Sequence, residues 1–269
     1  MERIKQYAAR HPFTFVLLAF VGWLLTASIF VFLSGLVLKV NFIELLPQAL
    51  GAVFATLLYI LLAGLLGWLR AAGIARYGNW QVWLVALIST IYLMIAYQLG
   101  FFGEINLNLS QFRHSTQAQT LLIRQLQVAF VEETLFRGIL LYVLVRVWGA
   151  TRRGLHAAVL ATALLFGVLH MLQTLAGSTP VEVALTIINC TLSGFWWAAL
   201  VLMWGSIWPV VLIHALTNLA VQIPGLTSTP VDPLWWAYVR IILLELPMVV
   251  YGVWLIRRMP LRKVVPNVP

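Results

Sequence analysis

Two adjacent acids and one base interrupt an apolar stretch, FVEETLFRG, at residues 130–138. Glu133 and Arg137 are four residues apart, so on a helix they share one face, and an acid that precedes the base favours an ion pair. Glu132 points about 100° away from Glu133 on the same helix. We therefore predict that Arg137 neutralises one acid while its neighbour faces elsewhere. For a lone buried Glu–Arg pair, a purely structural role in holding helices together is an equal alternative.

Two further motifs place histidines in apolar segments. LLFGVLHM puts Phe166 and His170 four apart, and LIHALTNLA does the same for His214 and Asn218. Residues four apart lie on one helix face. A carboxylate with two histidines and an amide can hydrolyse a carbonyl compound: the carboxylate acts as general base and a histidine orients the water. The second histidine and the amide can donate hydrogen bonds to the developing oxyanion.

The composition indicates a polytopic membrane protein. Of 269 residues, 62% are hydrophobic and 9% are charged, whereas soluble domains are about 25% charged. A membrane-spanning helix needs about 20 apolar residues, and open sheets are not viable in lipid. We predict an all-α bundle of eight transmembrane helices with a catalytic cavity inside it, one domain over 1–269 with a motif core at 119–222. The predicted spans lie near 13–38, 45–69, 80–102, 119–147, 155–175, 181–204, 206–222 and 233–257.

The net charge of +9 is distributed as a topology signal. Basic residues cluster before the first predicted span and after the second, fourth and eighth, while the alternate connections carry few. Because cytoplasmic loops are enriched in Lys and Arg, eight spans with both termini in the cytoplasm fit this pattern. The distribution argues against nucleic acid as a partner and is compatible with contact to anionic lipids.

The three motifs, in this order on successive spans, resemble the CPBP family, the Abi or CAAX-prenyl-protease-like intramembrane proteases. WGSIWPVVLIHALTN, residues 204–218, is similar to the family's approach to its last histidine. The residues that carry the resemblance are Glu132, Glu133, Arg137, Phe166, His170, His214 and Asn218.

The resemblance implies an eight-helix bundle around a water-filled cavity, and it implies roles. Glu132 is the general base, and His170 helps to activate the water. His214 and Asn218 form the oxyanion site, while Glu133 and Arg137 complete the first motif. No cofactor is implied, and the expected partners are the lipid bilayer and a peptide or membrane-protein substrate. The substrate's prenylation and the oligomeric state stay open, and the expected location is a bacterial plasma membrane.

Three alternatives remain beside this interpretation. A non-proteolytic scaffold or sequestering protein could share the fold. Buried acids and histidines also build proton relays in transporters, although no inverted repeat supports that function here. A metalloendopeptidase-like zinc site could use Glu132 or Glu133 with His170 and His214, since three protein ligands suffice for a catalytic zinc. His-Glu-x-x-His is absent from the sequence. Ser193-Gly194 lacks the preceding glycine of a rhomboid-like motif.

Other notable residues receive simpler interpretations. We expect Cys190 to be a small buried hydrophobe, and Arg240 and Glu245 each to contact either another helix or the membrane interface. Trp196-Trp197 and LWWAYV at 234–239 are interpreted as interfacial aromatic belts. The polar connection at 106–119 is either an ordinary loop or a gate over the cavity.

The predicted topology is directly testable with a reporter protein that folds only in the cytoplasm, fused after Pro269. We expect this fusion to be active, because every basic cluster then lies on the cytoplasmic side. Activity only from a matched reporter that requires export would reverse the side assignment of every loop.

Overall fold

A computed structural model describes residues 1–41, 45–98, 116–172, 177–222, 238–239 and 241–261. These residues form helices and their connecting turns, with no β-strand among them. The predicted all-α class is therefore confirmed. The predicted connection at 106–119 lies almost wholly outside the described residues, as do Arg240 and most of the aromatic segment 234–239.

Ten α-helices and two π-helical segments make up the described fold. The α-helices are α1 Glu2–Arg10, α2 Pro12–Leu38, α3 Leu45–Leu65, α4 Trp80–Gln98, α5 Thr116–Glu133, α6 Leu141–Trp148, α7 Arg152–Leu169, α8 Pro180–Trp204, α9 Trp208–Gln222 and α10 Leu246–Arg258. The π-helical segments are π1, Thr134–Leu140, and π2, Ile241–Glu245. Because α5, π1 and α6 follow without a gap, they form one continuous helix at the predicted fourth span.

Four of the described helices are long and apolar enough to cross a membrane. They are Pro12–Leu38, Leu46–Leu65, Arg152–Leu172 and Pro180–Trp204. Two shorter apolar helices are Trp80–Tyr92 and Trp208–Leu219. The four long helices identify an integral membrane protein, and the number of eight spans stays a prediction.

Local sequence signals set the ends of α8. Thr179 and Glu182 form a reciprocal capping box, with Pro180 in the first turn, an arrangement that satisfies free backbone amides. The helix ends at Gly205, whose φ of 67° lies in the left-handed region. Glycine adopts this conformation at little steric cost. The next helix begins at Trp208, so the chain breaks where Gly205 and Pro209 suggest a break.

The helices pack against one another in a few main pairs. α2 lies against α3, α7 and α10 lie on α8, and α9 lies between α4 and α5. Stacking of Phe13 on Trp148 joins the start of α2 to the end of α6. The Arg152 guanidinium donates a hydrogen bond to the Ile256 carbonyl and joins the start of α7 to the end of α10. The basic clusters at these helix ends therefore lie at one end of the bundle, as the charge pattern requires.

A glycine allows the closest approach of α7 to α8. A Cβ added at Gly167 would lie 2.7 Å from the Ile187 carbonyl oxygen and 2.0 Å from Thr191 Oγ1. The hydroxyl can rotate, whereas the backbone carbonyl cannot move without shifting α8. Small residues at helix interfaces are a common means of close packing in membranes.

Gly167→Ala is therefore expected to destabilise the protein by about 1–3 kcal/mol, the usual cost of overpacking. Gly64→Ala is the matched control, because its added Cβ would meet the flexible Leu69 side chain at 3.3 Å. Thermal unfolding in detergent measures both variants. Equal midpoints for the two variants would show that the α7–α8 approach is not constrained at this glycine.

Candidate active site

The two acids of the first motif stand at a change of helix type. Glu132 and Glu133 end α5, and π1 begins at Thr134. All seven residues of π1 are buried. Short π-helical segments within α-helices are frequent at functional sites. Since π1 carries Arg137, the wider turn sets where this guanidinium lies relative to the acids.

Glu133 is the centre of the hydrogen-bonded cluster. Its Oε1 accepts hydrogen bonds from Arg137 Nη1 and His214 Nδ1, each at 2.8 Å. Its side chain is 0% exposed and that of Arg137 is 1% exposed. The predicted Glu133–Arg137 ion pair is therefore present and buried. The spacing of the motifs gives no sign that the same carboxylate oxygen also holds His214.

Glu132 faces the other nitrogen of the same imidazole. Its Oε2 lies 3.6 Å from His214 Nε2, and its side chain is 19% exposed. The two acids are thus unequal, as expected, but Glu132 does not face a separate region, because both converge on His214. A separation of 3.6 Å is too long for a good direct hydrogen bond and suits a bridging water.

Phe166 explains why an aromatic ring belongs to the second motif. The Arg137 guanidinium carbon lies 4.0 Å from the centroid of its ring. The same ring makes edge contacts with His170 at 5.1 Å and with His214 at 6.0 Å between centroids. A cation over an aromatic face gains about 0.5–2 kcal/mol. Phe166 therefore stabilises the buried guanidinium and contacts both histidines of the site.

Gly194 makes room for this stack. A Cβ added there would lie 2.9 Å from Arg137 Nη2 and 3.2 Å from Phe166 Cδ1. Ser193, its neighbour, instead donates a hydrogen bond to Glu245 Oε2 at 3.0 Å. Ser193-Gly194 therefore has a packing role, and the expectation that Glu245 contacts another helix is confirmed.

Trp196 and Trp197 correct an expectation from the sequence. They do not form an interfacial belt, since they are only 3% and 4% exposed. The indole of Trp197 packs on the His214 imidazole with centroids 4.4 Å apart. The apolar character of α8 concealed this role, because a tryptophan pair near a helix end resembles an aromatic anchor.

His170 and Asn218 lie at the edge of this cluster. His170 Nδ1 is 2.9 Å from the Phe166 carbonyl oxygen, and its described ring contact is with Phe166. Asn218 follows His214 by one turn of α9 and is half-buried. The convergence of Glu132 and His214 is seen directly, while the convergence of His170 and Asn218 on the same water stays a prediction.

Buried polar atoms without a partner concentrate at this site. Among the described residues, six buried side-chain nitrogen or oxygen atoms have no hydrogen-bond partner, and four of them are Glu133 Oε2, Thr134 Oγ1, Arg137 Nη2 and Trp197 Nε1. Native proteins leave few such groups, so a concentration of them requires an explanation. A site that receives a polar ligand is one such explanation.

Neither a metal centre nor a reactive thiol is supported here. Within the described ranges, no group of three or more His, Cys, Asp or Glu side chains is arranged to hold a metal ion, so the zinc alternative gains no support. Cys190 is a free, partly buried cysteine that packs against the hydrophobic core. Its expected role as a small hydrophobe fits this position, although its burial is incomplete.

The stack of Arg137 on Phe166 is testable through stability. Phe166→Leu keeps an apolar side chain but removes the ring face, so we expect a loss of about 1–2 kcal/mol beyond ordinary repacking. Phe195→Leu, at a buried phenylalanine in α8, measures the repacking cost alone. Chemical unfolding of both variants in detergent is the measurement, and equal losses would rule out a stabilising cation–π contact.

A comparison with protein-family models identifies the segment that carries this site. Residues 114–220 match the model described as Type II CAAX prenyl endopeptidase Rce1-like. This segment contains all three motifs, from Glu132 to Asn218. No curated protein and no solved structure matches the chain. The resemblance found in the motifs is confirmed by this match, and the matched family of CAAX-type intramembrane proteases suggests a protease-type enzyme.

Proposed function

We propose that the protein is an intramembrane endopeptidase in which Glu132 activates water against a peptide bond. The observation that carries the proposal is the position of His214 between two glutamates, 2.8 Å from Glu133 Oε1 and 3.6 Å from Glu132 Oε2. One acid holds the imidazole, and the more accessible acid faces the free nitrogen. An orienting carboxylate, a histidine and an accessible general base are the components that hydrolysis needs.

The two acids of the cluster, Glu132 and Glu133, outnumber its one permanent base, Arg137. With both acids ionised, Glu132, Glu133 and Arg137 sum to −1, so one further proton makes the cluster with His214 neutral. Glu133 is occupied by Arg137 and by His214 Nδ1. Glu132 and His214 Nε2 therefore lie on the two sides of a gap that suits a water.

The proposed reaction has two steps, and the proton that moves in them comes from the attacking water. Glu132 removes a proton from the water as its oxygen bonds to the carbonyl carbon of the scissile peptide. His214 Nε2–H donates a hydrogen bond to the oxyanion that forms, while Glu133 Oε1 holds the ring through Nδ1. Glu132 then gives its proton to the leaving nitrogen as the C–N bond breaks, so an amine and a carboxylic acid are released.

His170 and Asn218 complete the proposal from opposite sides. Asn218 lies one turn beyond His214 on α9, where its amide could add a second donor to the oxyanion. His170 assists in orienting the water and is held against Phe166, the ring that also contacts His214. The substrate class is a peptide or a membrane protein, and a prenylated CAAX-type peptide is the first candidate because the matching family is that of type II CAAX prenyl endopeptidases.

The two acids are expected to respond differently to substitution. Glu132→Gln removes the general base but leaves the buried ion pair intact, so we expect a folded protein with cleavage reduced at least 100-fold. Glu133→Gln leaves Arg137 buried without its carboxylate, and we expect a loss of about 3–5 kcal/mol of stability as well as activity. Thermal unfolding and peptide cleavage, measured on the same preparations, separate the two effects.

The cleavage assay uses purified protein in lipid nanodiscs with two fluorogenic CAAX-type peptides, one farnesylated and one not. Glu182→Gln is the matched control, because this exposed glutamate lies in the α8 capping box. A stable but inactive Glu133→Gln with an active Glu132→Gln would reverse the roles of the acids. Cleavage that persists in the folded Glu132→Gln protein would show that Glu132 is not the general base, whereas a folded wild-type protein that cleaves neither peptide would favour the scaffold function.

A further inference from the structure

The connection between α3 and α4, residues 66–78, reaches into the bundle. Ala72, Gly73 and Ile74 within this turn are buried. Gly67, Gly73 and Gly78 all have left-handed φ values between 71° and 74°, a conformation that glycine adopts readily. The turn lies outside the segment 114–220 that matches the family model, and none of the three motifs includes it.

This turn holds the start of α9, the helix that carries His214. Ser206 Oγ donates to the Arg76 carbonyl at 2.6 Å, and the Ile207 amide donates to the Gly73 carbonyl at 3.2 Å. Trp208 Nε1 donates to the Ile74 carbonyl at 2.9 Å. Three consecutive residues therefore donate hydrogen bonds to carbonyls of the same turn. A Cβ at Gly73 would lie 3.2 Å from Ser206 Cα, so glycine permits this approach.

Trp208 also connects the turn to the helix of the two acids. Its indole stacks on Tyr77 of the turn, with centroids 6.0 Å apart, and on Phe130 of α5 at 5.9 Å. Phe130 precedes Glu132 by two residues, and Trp208 precedes His214 by six. The first contact between α5 and α9 is that of the two glutamates with His214. The Phe130–Trp208 stack is a second contact, six residues or about 9 Å along α9 from His214 at 1.5 Å per residue.

The turn touches the π-helical segment as well. A Cβ at Gly138 would lie 3.1 Å from the Ile74 side chain. Trp68 of the turn packs against Tyr142 of α6, with centroids 5.5 Å apart. The turn is therefore packed against both elements of the candidate site, the helix that bears the acids and the helix that bears His214.

We propose that Trp208, clamped by the 66–78 turn, is a positioning residue that sets the separation of His214 from Glu132 and Glu133. Two rigid helices joined at one point can pivot, whereas a second contact along their length fixes their relative orientation. The gap between Glu132 and His214 is then determined by the turn. The expected change in kcat rests on the proposed hydrolytic function. The positioning of His214 by Trp208 does not depend on that function.

Trp208→Phe tests the proposal, because it retains a ring for stacking and removes only the hydrogen bond to Ile74. Trp23→Phe is the matched control: Trp23 is a buried tryptophan whose Nε1 donates to Thr56 Oγ1 at 3.2 Å, between α2 and α3. A displacement of about 1 Å in a catalytic site can cost about 100-fold. We expect kcat to fall about 10- to 100-fold in Trp208→Phe, with KM unchanged, and to stay at the wild-type value in Trp23→Phe.

A second measurement reads the geometry without requiring activity. Histidine-selective ¹⁵N NMR of the full chain, with the His214 signals assigned from His214→Asn, reports the hydrogen bond at Nδ1. We expect the His214 signals to shift in Trp208→Phe and to stay in place in Trp23→Phe. Should wild-type protein prove inactive on every peptide, this shift still decides the inference, while the proposed function fails separately.

Unchanged His214 signals in Trp208→Phe would overturn the proposal, and so would an unchanged kcat where the wild type is active. If Trp208→Phe does not fold, Ser206→Ala takes its place, because it removes the hydrogen bond to the Arg76 carbonyl and the one that Ser206 Oγ accepts from the Trp208 amide. The same two outcomes then apply to Ser206→Ala. A tryptophan with only a structural role would lower the thermal midpoint without moving the His214 signals.

Discussion

One carboxylate oxygen organises the centre of this protein. Glu133 Oε1 accepts hydrogen bonds from both Arg137 and His214, so it joins π1 to α9 deep inside an apolar bundle. A buried charge is costly unless it is paired and hydrogen-bonded. Glu133 pairs with Arg137 and accepts a hydrogen bond from His214 Nδ1, so that Nε2 of the same ring faces Glu132. Glu132, the more accessible acid, thus faces an imidazole that is held in place, while Arg137 pairs with Glu133.

Dense aromatic packing maintains that arrangement. Phe166 supports the Arg137 guanidinium from one side, and Trp197 packs on the His214 imidazole. Gly194 removes the side chain that would collide with this stack. Low polarity around the cluster strengthens each of its hydrogen bonds and also raises the cost of an unpaired group. The same packing that stabilises the charged residues therefore limits where a water or a peptide could enter, and the exposed edge is that of Glu132.

The sequence contained enough information to predict the helical class and the first ion pair. Spacing of four residues was sufficient for Glu133 and Arg137, because contacts within one helix depend on local geometry. The order of the three motifs led to the family whose model matches residues 114–220. All of these features are local in the chain or depend on residue order.

The remaining features depend on contacts between distant segments. Spacing could not show that both acids meet His214, since that contact joins residues 81 positions apart. Nothing in GFWWAALV distinguished Trp197 beside a histidine from a tryptophan in lipid. The 66–78 turn reads as a generic connection, and its role depends on carbonyls that accept hydrogen bonds from residues about 130 positions later. The π-helical form of residues 134–140 also has no periodic signal in such an apolar stretch.

The central claim, that Glu132 directs peptide hydrolysis within the membrane, is tested most directly by mapping protein N-termini in membranes. Cells that produce the wild-type chain are compared with cells that produce Glu132→Gln at the same level. The account predicts at least one membrane-associated protein with a cleaved terminus in the first cells and an intact one in the second. Identical sets of termini, with both chains folded and present in the membrane, would contradict it.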